Sequence, residues 1–277
     1  MAILCIWLSI IIGLSTTIMS SLANAEVISI EALADATIYA GQVNNSDGAN
    51  PGLYVGTNGQ GFTHRGLITF DIAGNVPAGS TITDVQLTLT LAQVAGSSGM
   101  PGQGDQTPRT ISLYSLTNSW GEGITGAGHT GLGGTGEGFP ANSGDATWNA
   151  RLYPGVLWTT PGGDHVTTAS AASTVGSTFF SRFTWLSTPA LVNDVQGWLQ
   201  NPAGNFGWEL INSDETDLKT YRAFFTREYS DPTVHPELQI TYLAPVPVPS
   251  ALWLFGSGLA AMVGFAQQKV RRSGFTT

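Results

Sequence analysis

Two short polar segments of the chain carry side chains that could bind a hard metal ion. Residues 44–48 read Asn-Asn-Ser-Asp-Gly, and residues 214–217 read Asp-Glu-Thr-Asp. Carboxylate and amide oxygens of this kind are the ligands that Ca²⁺ prefers. Neither segment has the spacing of an EF-hand loop, and Asn and Asp are also common in turns, where they form local hydrogen bonds. A calcium ligand set and a polar turn therefore both stay open as interpretations.

Aromatic side chains form a second group with binding chemistry, because sugars stack their C–H faces on exposed aromatic rings. Trp120, Trp148, Tyr153 and Trp158 lie in or beside long loops, which is where binding residues concentrate. We expect them to form a carbohydrate-binding surface; the alternative is that they pack inward and fix the loops. Three further tryptophans fall on inward-facing positions and are predicted core residues: Trp185, Trp198 and Trp208.

Little in the sequence indicates an enzyme. It contains neither a Gly-x-Ser-x-Gly nor a His-Glu-x-x-His motif, and its four histidines are scattered without metal-ligand spacing. The single cysteine, Cys5, lies in a segment that we predict to be removed, so the mature chain has no thiolate and no disulfide. Two facing carboxylates could still hydrolyse a glycosidic bond, but the sequence alone cannot pair them. We expect a non-catalytic protein, with a polysaccharide-degrading enzyme as an alternative.

The N-terminus has the pattern of a secretory signal peptide. Residues 8–22 are mostly apolar, and Ala23-Asn24-Ala25 follows the small-x-small cleavage rule. We therefore expect residues 1–25 to be a signal peptide, with Ala23 and Ala25 directing the cleavage, and the mature chain to begin at Glu26.

The C-terminal tail, residues 244–277, combines a Pro-rich stretch, one apolar run and a basic patch, in that order. The run, residues 251–266, is uncharged and slightly shorter than the about 20 residues of a relaxed membrane span. Basic residues beyond the run favour a cytoplasmic C-terminus. We expect residues 251–266 to form an apolar helix that holds the protein in the membrane transiently; the alternative is a buried core helix.

The residues of this tail match a known sorting signal. Pro247-Val248-Pro249 precedes the apolar run, and the run is closed by a basic patch that comprises Lys269, Arg271 and Arg272. In this arrangement the tail resembles the PEP-CTERM signal of Gram-negative bacteria, with Val248 at the position where the commonest form has Glu. The resemblance implies processing by an exosortase, a membrane cysteine transpeptidase, in organisms that make exopolysaccharide. It also implies export across the inner membrane to the cell surface or the extracellular space.

Charge is distributed unevenly along the chain. Residues 26–237 contain all 19 acidic residues but only 7 of the 10 basic ones, and the tail holds the other three. A domain this acidic repels nucleic acid and anionic membranes. It is compatible with a neutral polysaccharide or a cation as partner, or with no charged partner.

The residues between the two targeting segments have a β composition. Glycine is abundant, with 35 of 277 residues, and short runs of alternating apolar and polar residues recur, most clearly in residues 84–92. One segment has a helical period instead: residues 189–199 form a short amphipathic helix that Thr188 can cap and Pro189 can start. Residues 96–108 and 121–144 are predicted long surface loops. We expect an all-β domain with one short helix.

The predicted strands carry a second resemblance, which spans roughly residues 33–243. The matching pieces are residues 35–39, 53–56, 65–72, 77–82, Thr147-Trp148-Asn149, 194–198, 205–208, 225–228 and 235–238. In order and spacing they are similar to the DNRLRE-type domain of secreted and surface proteins. That resemblance implies a jelly-roll β-sandwich over residues 26–243, and some relatives act as carbohydrate-binding modules.

Together these patterns predict an exported surface or extracellular-matrix protein that binds polysaccharide or is embedded in it. The alternative is a structural or adhesion protein without a sugar site. Because jelly-roll modules often hold one structural Ca²⁺, the resemblance also makes Asp35 and Asp47 candidate calcium ligands.

Overall fold

A computed structural model describes the chain over residues 24–129, 132 and 137–245. Within this part, no helix is long and apolar enough to cross a membrane. The predicted apolar helix, residues 251–266, lies outside the described residues, as does nearly all of the predicted signal peptide; both stay predictions. The same holds for most of the predicted cleavage and sorting residues: Ala23, Pro247, Val248, Pro249, Lys269, Arg271 and Arg272.

Strands account for 38% of the structure and helices for 8%, so its regular structure is mostly β, which confirms the predicted all-β class. The strands are β1 (Ala25–Glu31), β2 (Ala34–Tyr39), β3 (Asn45–Ser46), β4 (Gly52–Thr57), β5 (Thr63–Thr69), β6 (Thr81–Val94), β7 (Arg109–Ser115), β8 (Phe139–Pro140), β9 (Ala150–Leu152), β10 (Val156–Leu157), β11 (Ala171–Val175), β12 (Arg182–Trp185), β13 (Trp208–Asn212), β14 (Arg222–Phe225) and β15 (Glu237–Leu243). The helix α1 is Pro189–Gln200, and 3₁₀ turns occupy Pro202–Gly204 and Pro232–Val234.

Eleven of these strands form one curled antiparallel sheet. Its main path runs β1-β15-β6-β14-β4-β5-β13-β7-β11, with β12 beside β6 and β2 beside β5. Thr88 of β6 pairs with both Glu237 and Thr184, so β15 and β12 flank β6 on opposite edges. Leu67 of β5 likewise pairs with residues of β2 and β13. The result is a sandwich-like fold around one main core.

The long strand β6 shows how the sequence pattern produces this core. Its residues Val85, Leu87, Leu89 and Leu91 are fully buried at alternate positions, as a strand with one core face requires. A register shift against β15 lies near the start of β6. This β-bulge lets Ile82, three residues before Val85, also reach the core.

The helix α1 lies against the main core, as its period predicts. Thr188 Oγ1 accepts a hydrogen bond from the Leu191 amide at 3.0 Å, and Pro189 starts the helix. The helix buries Leu191, Val195, Trp198 and Leu199. The tryptophans predicted for the core are also buried, and the ring centroids of Trp198 and Trp208 lie 4.6 Å apart.

Strands β2, β5 and β13 are buried on both faces, which the alternating pattern does not predict. On one face of β5, Ile68 lies in the main core. On the opposite face, Leu67 belongs to a second hydrophobic cluster. Loops between residues 116 and 158 cover this second cluster through Leu116 and Trp158. We call the covered side the outer face; it carries Ile38, Leu67 and, in register with Leu67, Glu209.

Candidate functional site

A polar groove of about 330 Å³ opens above the outer face, between the end of β7 and the loop that leads to β11. The backbone holds these two segments together: the Thr117 amide donates to the Asp164 carbonyl at 2.9 Å, and the Val166 amide donates to the Ser115 carbonyl at 2.9 Å. Hydroxyl, amide, carboxylate and imidazole groups line the groove, which comprises Thr117, Asn118, Thr159, Thr160, Gly163, Asp164 and His165.

Asp164 organises one wall of the groove. Its carboxylate accepts hydrogen bonds from the amides of Thr159 at 2.8 Å and Thr160 at 2.9 Å, and from Asn118 Nδ2 at 3.1 Å. Burial acts to raise the pKa of Asp164, but these hydrogen bonds outweigh it and the pKa is lowered. The groove therefore presents a fixed, ionised carboxylate.

Glu209 lies below the groove with its side chain fully buried. Among the described residues neither of its carboxylate oxygens has a hydrogen-bond partner; Arg65 Nη1 lies 3.6 Å away and the imidazole Nε2 of His165 lies 3.8 Å away. Burial raises the pKa of Glu209 to about 8, with Arg65 opposing the rise and Glu215 adding to it. A Cβ atom at Gly163 would lie 2.5 Å from Glu209 Oε2, so glycine is required where the loop crosses this carboxylate.

Arg65 connects the outer face to the loops around the groove. Its Nε and Nη2 atoms donate to Glu215 at 2.8 Å each, and Nη1 donates to the Gly162 carbonyl at 3.0 Å. The guanidinium lies 5.3 Å from the centre of the Trp148 ring, within the range of a cation–π contact. The strand pattern favours a salt bridge from Arg65 to Asp71; that interpretation is wrong, because Asp71 instead accepts from the Gly74 amide in a turn.

The four aromatic residues predicted to bind sugar have different environments. Trp158 is only 4% exposed and donates from Nε1 to the Thr147 carbonyl at 2.8 Å, so it packs in the second cluster. Trp120 and Trp148 pack against that cluster but stay half-buried. Tyr153 is half-buried outside the cluster. None of the four lines the groove itself; Trp148 comes near it, because its ring lies against Gly162, which precedes the lining residue Gly163.

The predicted calcium ligands Asp35 and Asp47 do not fall in one cluster. Asp47 is buried and accepts hydrogen bonds from the Thr37 amide at 2.8 Å and from the Tyr39 hydroxyl. Burial raises the pKa of Asp47 to about 7, although these hydrogen bonds oppose the rise. Asp35 instead lies beside Glu122 and Glu228, and carboxylate oxygens of the three are all within 4.8 Å of one another.

In the polar segment 214–217, which the sequence identifies as a candidate set of calcium ligands, two carboxylates form ion pairs. Asp214 pairs with Arg109 at 3.0 Å, and Glu215 pairs with Arg65 at 2.8 Å. Sequence reasoning missed Glu209, Glu122 and Glu228. Each is a single acidic residue in an unremarkable context, and only the fold places it beside other charged groups.

No protein-family model matches this chain, and no curated protein is significantly similar to it.

Proposed function

We propose that this protein is exported and non-catalytic, and that its β-sandwich binds a polysaccharide of the cell surface or extracellular matrix. The observation that carries the proposal is the groove of Thr117, Asn118 and Thr160 beside the half-buried Trp148 ring. Polar side chains with an adjacent aromatic ring match the hydroxyl groups and the C–H faces of a sugar. The groove volume of about 330 Å³ lies at the lower end of small-ligand sites.

The charges around the groove favour a neutral glycan. Asp164 is an ionised carboxylate in the wall, and Arg65 is already held by Glu215 in two hydrogen bonds. A uronate or sulfate group would be repelled by the Asp164 carboxylate, and Arg65 is already engaged by Glu215. The excess of acidic residues in 26–237 also disfavours anionic glycans, and it disfavours nucleic acid for the same reason.

The targeting segments and the fold fit an exported protein. Residues 1–25 as signal peptide and residues 244–277 as a PEP-CTERM-like tail would deliver the domain through an exosortase to the surface of a Gram-negative cell. The jelly-roll form of the sandwich, as in the DNRLRE-type domain, is supported by a curled, wholly antiparallel sheet whose strands β5 and β6 have neighbours on both edges.

A glycan array with residues 25–245, which form one compact unit, tests the sugar site. Trp148→Ala should lower the affinity for the bound glycan about tenfold or more, and Trp148→Phe should retain most of it. Thr160→Ala tests the polar wall with little effect on folding. Gln239→Ala, an exposed position on β15, is the matched control and should bind normally.

The outcomes separate the three classes of function. Absence of binding to any glycan by the folded domain would favour a structural or adhesion protein. Release of reducing ends from a polysaccharide would show an enzyme and overturn the non-catalytic proposal. Mass spectrometry of both mature termini in fractionated cells tests processing, and a C-terminus at Thr277 in the surface fraction would contradict exosortase cleavage.

A further inference from the structure

Three carboxylates that are far apart in the sequence converge at one end of β2. Asp35 belongs to β2, Glu122 lies in the loop after β7, and Glu228 follows β14. Each contributes one oxygen to a group whose members are within 4.8 Å of one another. Like charges this close repel one another, so the fold must compensate them.

Two oxygens of this group have no hydrogen-bond donor. They are Asp35 Oδ1 and Glu228 Oε2, both buried and unpartnered among the described residues. Asp35 as a whole is only 1% exposed. Leaving a buried carboxylate oxygen without a donor is costly, so the groups in the described part of the chain do not explain this pair of oxygens.

The positive charge in the described part of the site does not balance the negative charge. Arg227 pairs with Glu122 at 2.6 Å and with Glu228 at 3.0 Å. Three ionised carboxylates and one guanidinium have a net charge of −2. One divalent cation would neutralise it. In keeping with this excess, burial and then repulsion by Glu228 raise the pKa of Asp35 well above its usual range.

We propose that Asp35, Glu122 and Glu228 bind a calcium ion, with Asp35 Oδ1 and Glu228 Oε2 as two of its ligands. The donors are all oxygens, without nitrogen or sulfur, which favours Ca²⁺ over Zn²⁺. Water would complete the six to eight ligands that Ca²⁺ takes. The ion would tie the loop of Glu122 to β2 and to the segment after β14. This site shares no residue with the groove, so it does not depend on sugar binding.

Thermal unfolding of residues 25–245 with CaCl₂ or with EDTA tests the site. Extracellular calcium modules have a Kd of about 10⁻⁴–10⁻³ M, so about 10 mM Ca²⁺ should raise the Tm of a domain of this size by roughly 3–10 °C. Mg²⁺ should raise it less, since it requires a smaller octahedral site. Terbium luminescence, competed by Ca²⁺, provides a second readout that does not depend on stability.

Variants distinguish a bound ion from a general salt effect. Asp35→Asn and Glu228→Gln should each abolish the calcium-dependent rise in Tm. Asp35→Asn should also raise the Tm in EDTA, because it removes one of the repelling charges. Asp217→Asn changes a largely exposed carboxylate of another ion pair and should respond to Ca²⁺ like the wild type.

Two results would overturn the proposal. One is a wild-type Tm that does not change with Ca²⁺, together with no terbium signal. The other is a full calcium response in both Asp35→Asn and Glu228→Gln. Neither result bears on the sugar site, which the glycan array tests separately.

Discussion

Arg222 Nη1 lies 3.0 Å from Asp105 Oδ2, and this pair anchors the loop between β6 and β7 to β14. The Arg222 side chain is fully buried. It donates further hydrogen bonds to the carbonyls of Thr107 at 2.5 Å and Gly176 at 2.8 Å. A segment whose composition is typical of a free surface loop is therefore held by a desolvated guanidinium.

Arg222→Ala should lower the free energy of unfolding by about 3–5 kcal/mol, because it removes the donor to the Thr107 and Gly176 carbonyls and leaves Arg109 as the remaining guanidinium partner of Asp105. Arg182→Ala is the matched control: Arg182 pairs with Glu237 on the surface, and its side chain is 45% exposed. That substitution should cost less than about 1 kcal/mol. Urea denaturation of both variants measures the difference, and equal losses would show that Arg222 is no anchor.

The regular elements of this fold could be predicted because their patterns are local. Alternation in residues 84–92 indicates the strand β6, and the period of residues 189–199 with Thr188 before it indicates α1. Both patterns arise because one face of the strand or helix packs against the main core and the other does not. Trp158, predicted to bind carbohydrate, shows the limit of such patterns. A tryptophan in a loop can be exposed to a ligand or can pack against the face of a strand, and the local sequence does not distinguish the two.

Glu209 shows why the candidate site could not be predicted. It alternates with Trp208 on β13, and alternation indicates that it faces solvent. In the fold its face is covered by loops that close over Leu67 and contribute Leu116 and Trp158 to the same cluster. Packing between segments far apart in the sequence decides this burial, and no local pattern records it. The convergence of Glu122 on Asp35 is non-local for the same reason.

His64 should make the protein sensitive to acid. Its ring is fully buried among Tyr39, Tyr54 and Tyr221, neither ring nitrogen has a hydrogen-bond partner in the described part of the chain, and burial lowers its pKa from 6.5 to about 3. Between these pH values the unfolded chain binds a proton that the folded protein does not. The contribution of His64 to the free energy of unfolding therefore decreases as the pH falls from 6.5 towards 3, by about 1.4 kcal/mol per pH unit.

The His64→Phe variant isolates this effect, because phenylalanine fits an aromatic site and does not titrate. Its stability relative to wild type should increase steadily from pH 6.5 to pH 4.5 in urea denaturation. His129→Gln, at an exposed position, is the control. A constant difference between His64→Phe and wild type over this range would mean that the ring can be protonated in the folded state.

Glu209 should have the opposite pH dependence. Because its pKa is raised from 4.5 to about 8, the folded protein retains a proton that the unfolded chain loses between these values. The stability from this group is complete below pH 4.5 and is lost as the pH rises towards 8, by about 1.4 kcal/mol per unit. Glu209→Gln should therefore gain stability relative to wild type over this range, and the gain should level off above pH 8.

Two comparisons check this result. Glu31→Gln changes a carboxylate whose side chain is 66% exposed, and it should follow the wild-type curve. Arg65 keeps Glu215 as its partner in Glu209→Gln, so the variant should fold at neutral pH. If its advantage were the same at pH 5 and pH 8, the carboxyl of Glu209 would not be the group that titrates.

Trp158→Ala tests whether this tryptophan serves the fold or a ligand. The indole is 4% exposed, belongs to the second cluster and donates to the Thr147 carbonyl. Its removal leaves a cavity under the loops and should cost about 3–5 kcal/mol in unfolding free energy. The neighbouring Leu157 is 62% exposed, so Leu157→Ala should change stability by less than about 0.5 kcal/mol. A Trp158→Ala variant as stable as wild type would show that the ring is not held in the cluster and is free to meet a sugar.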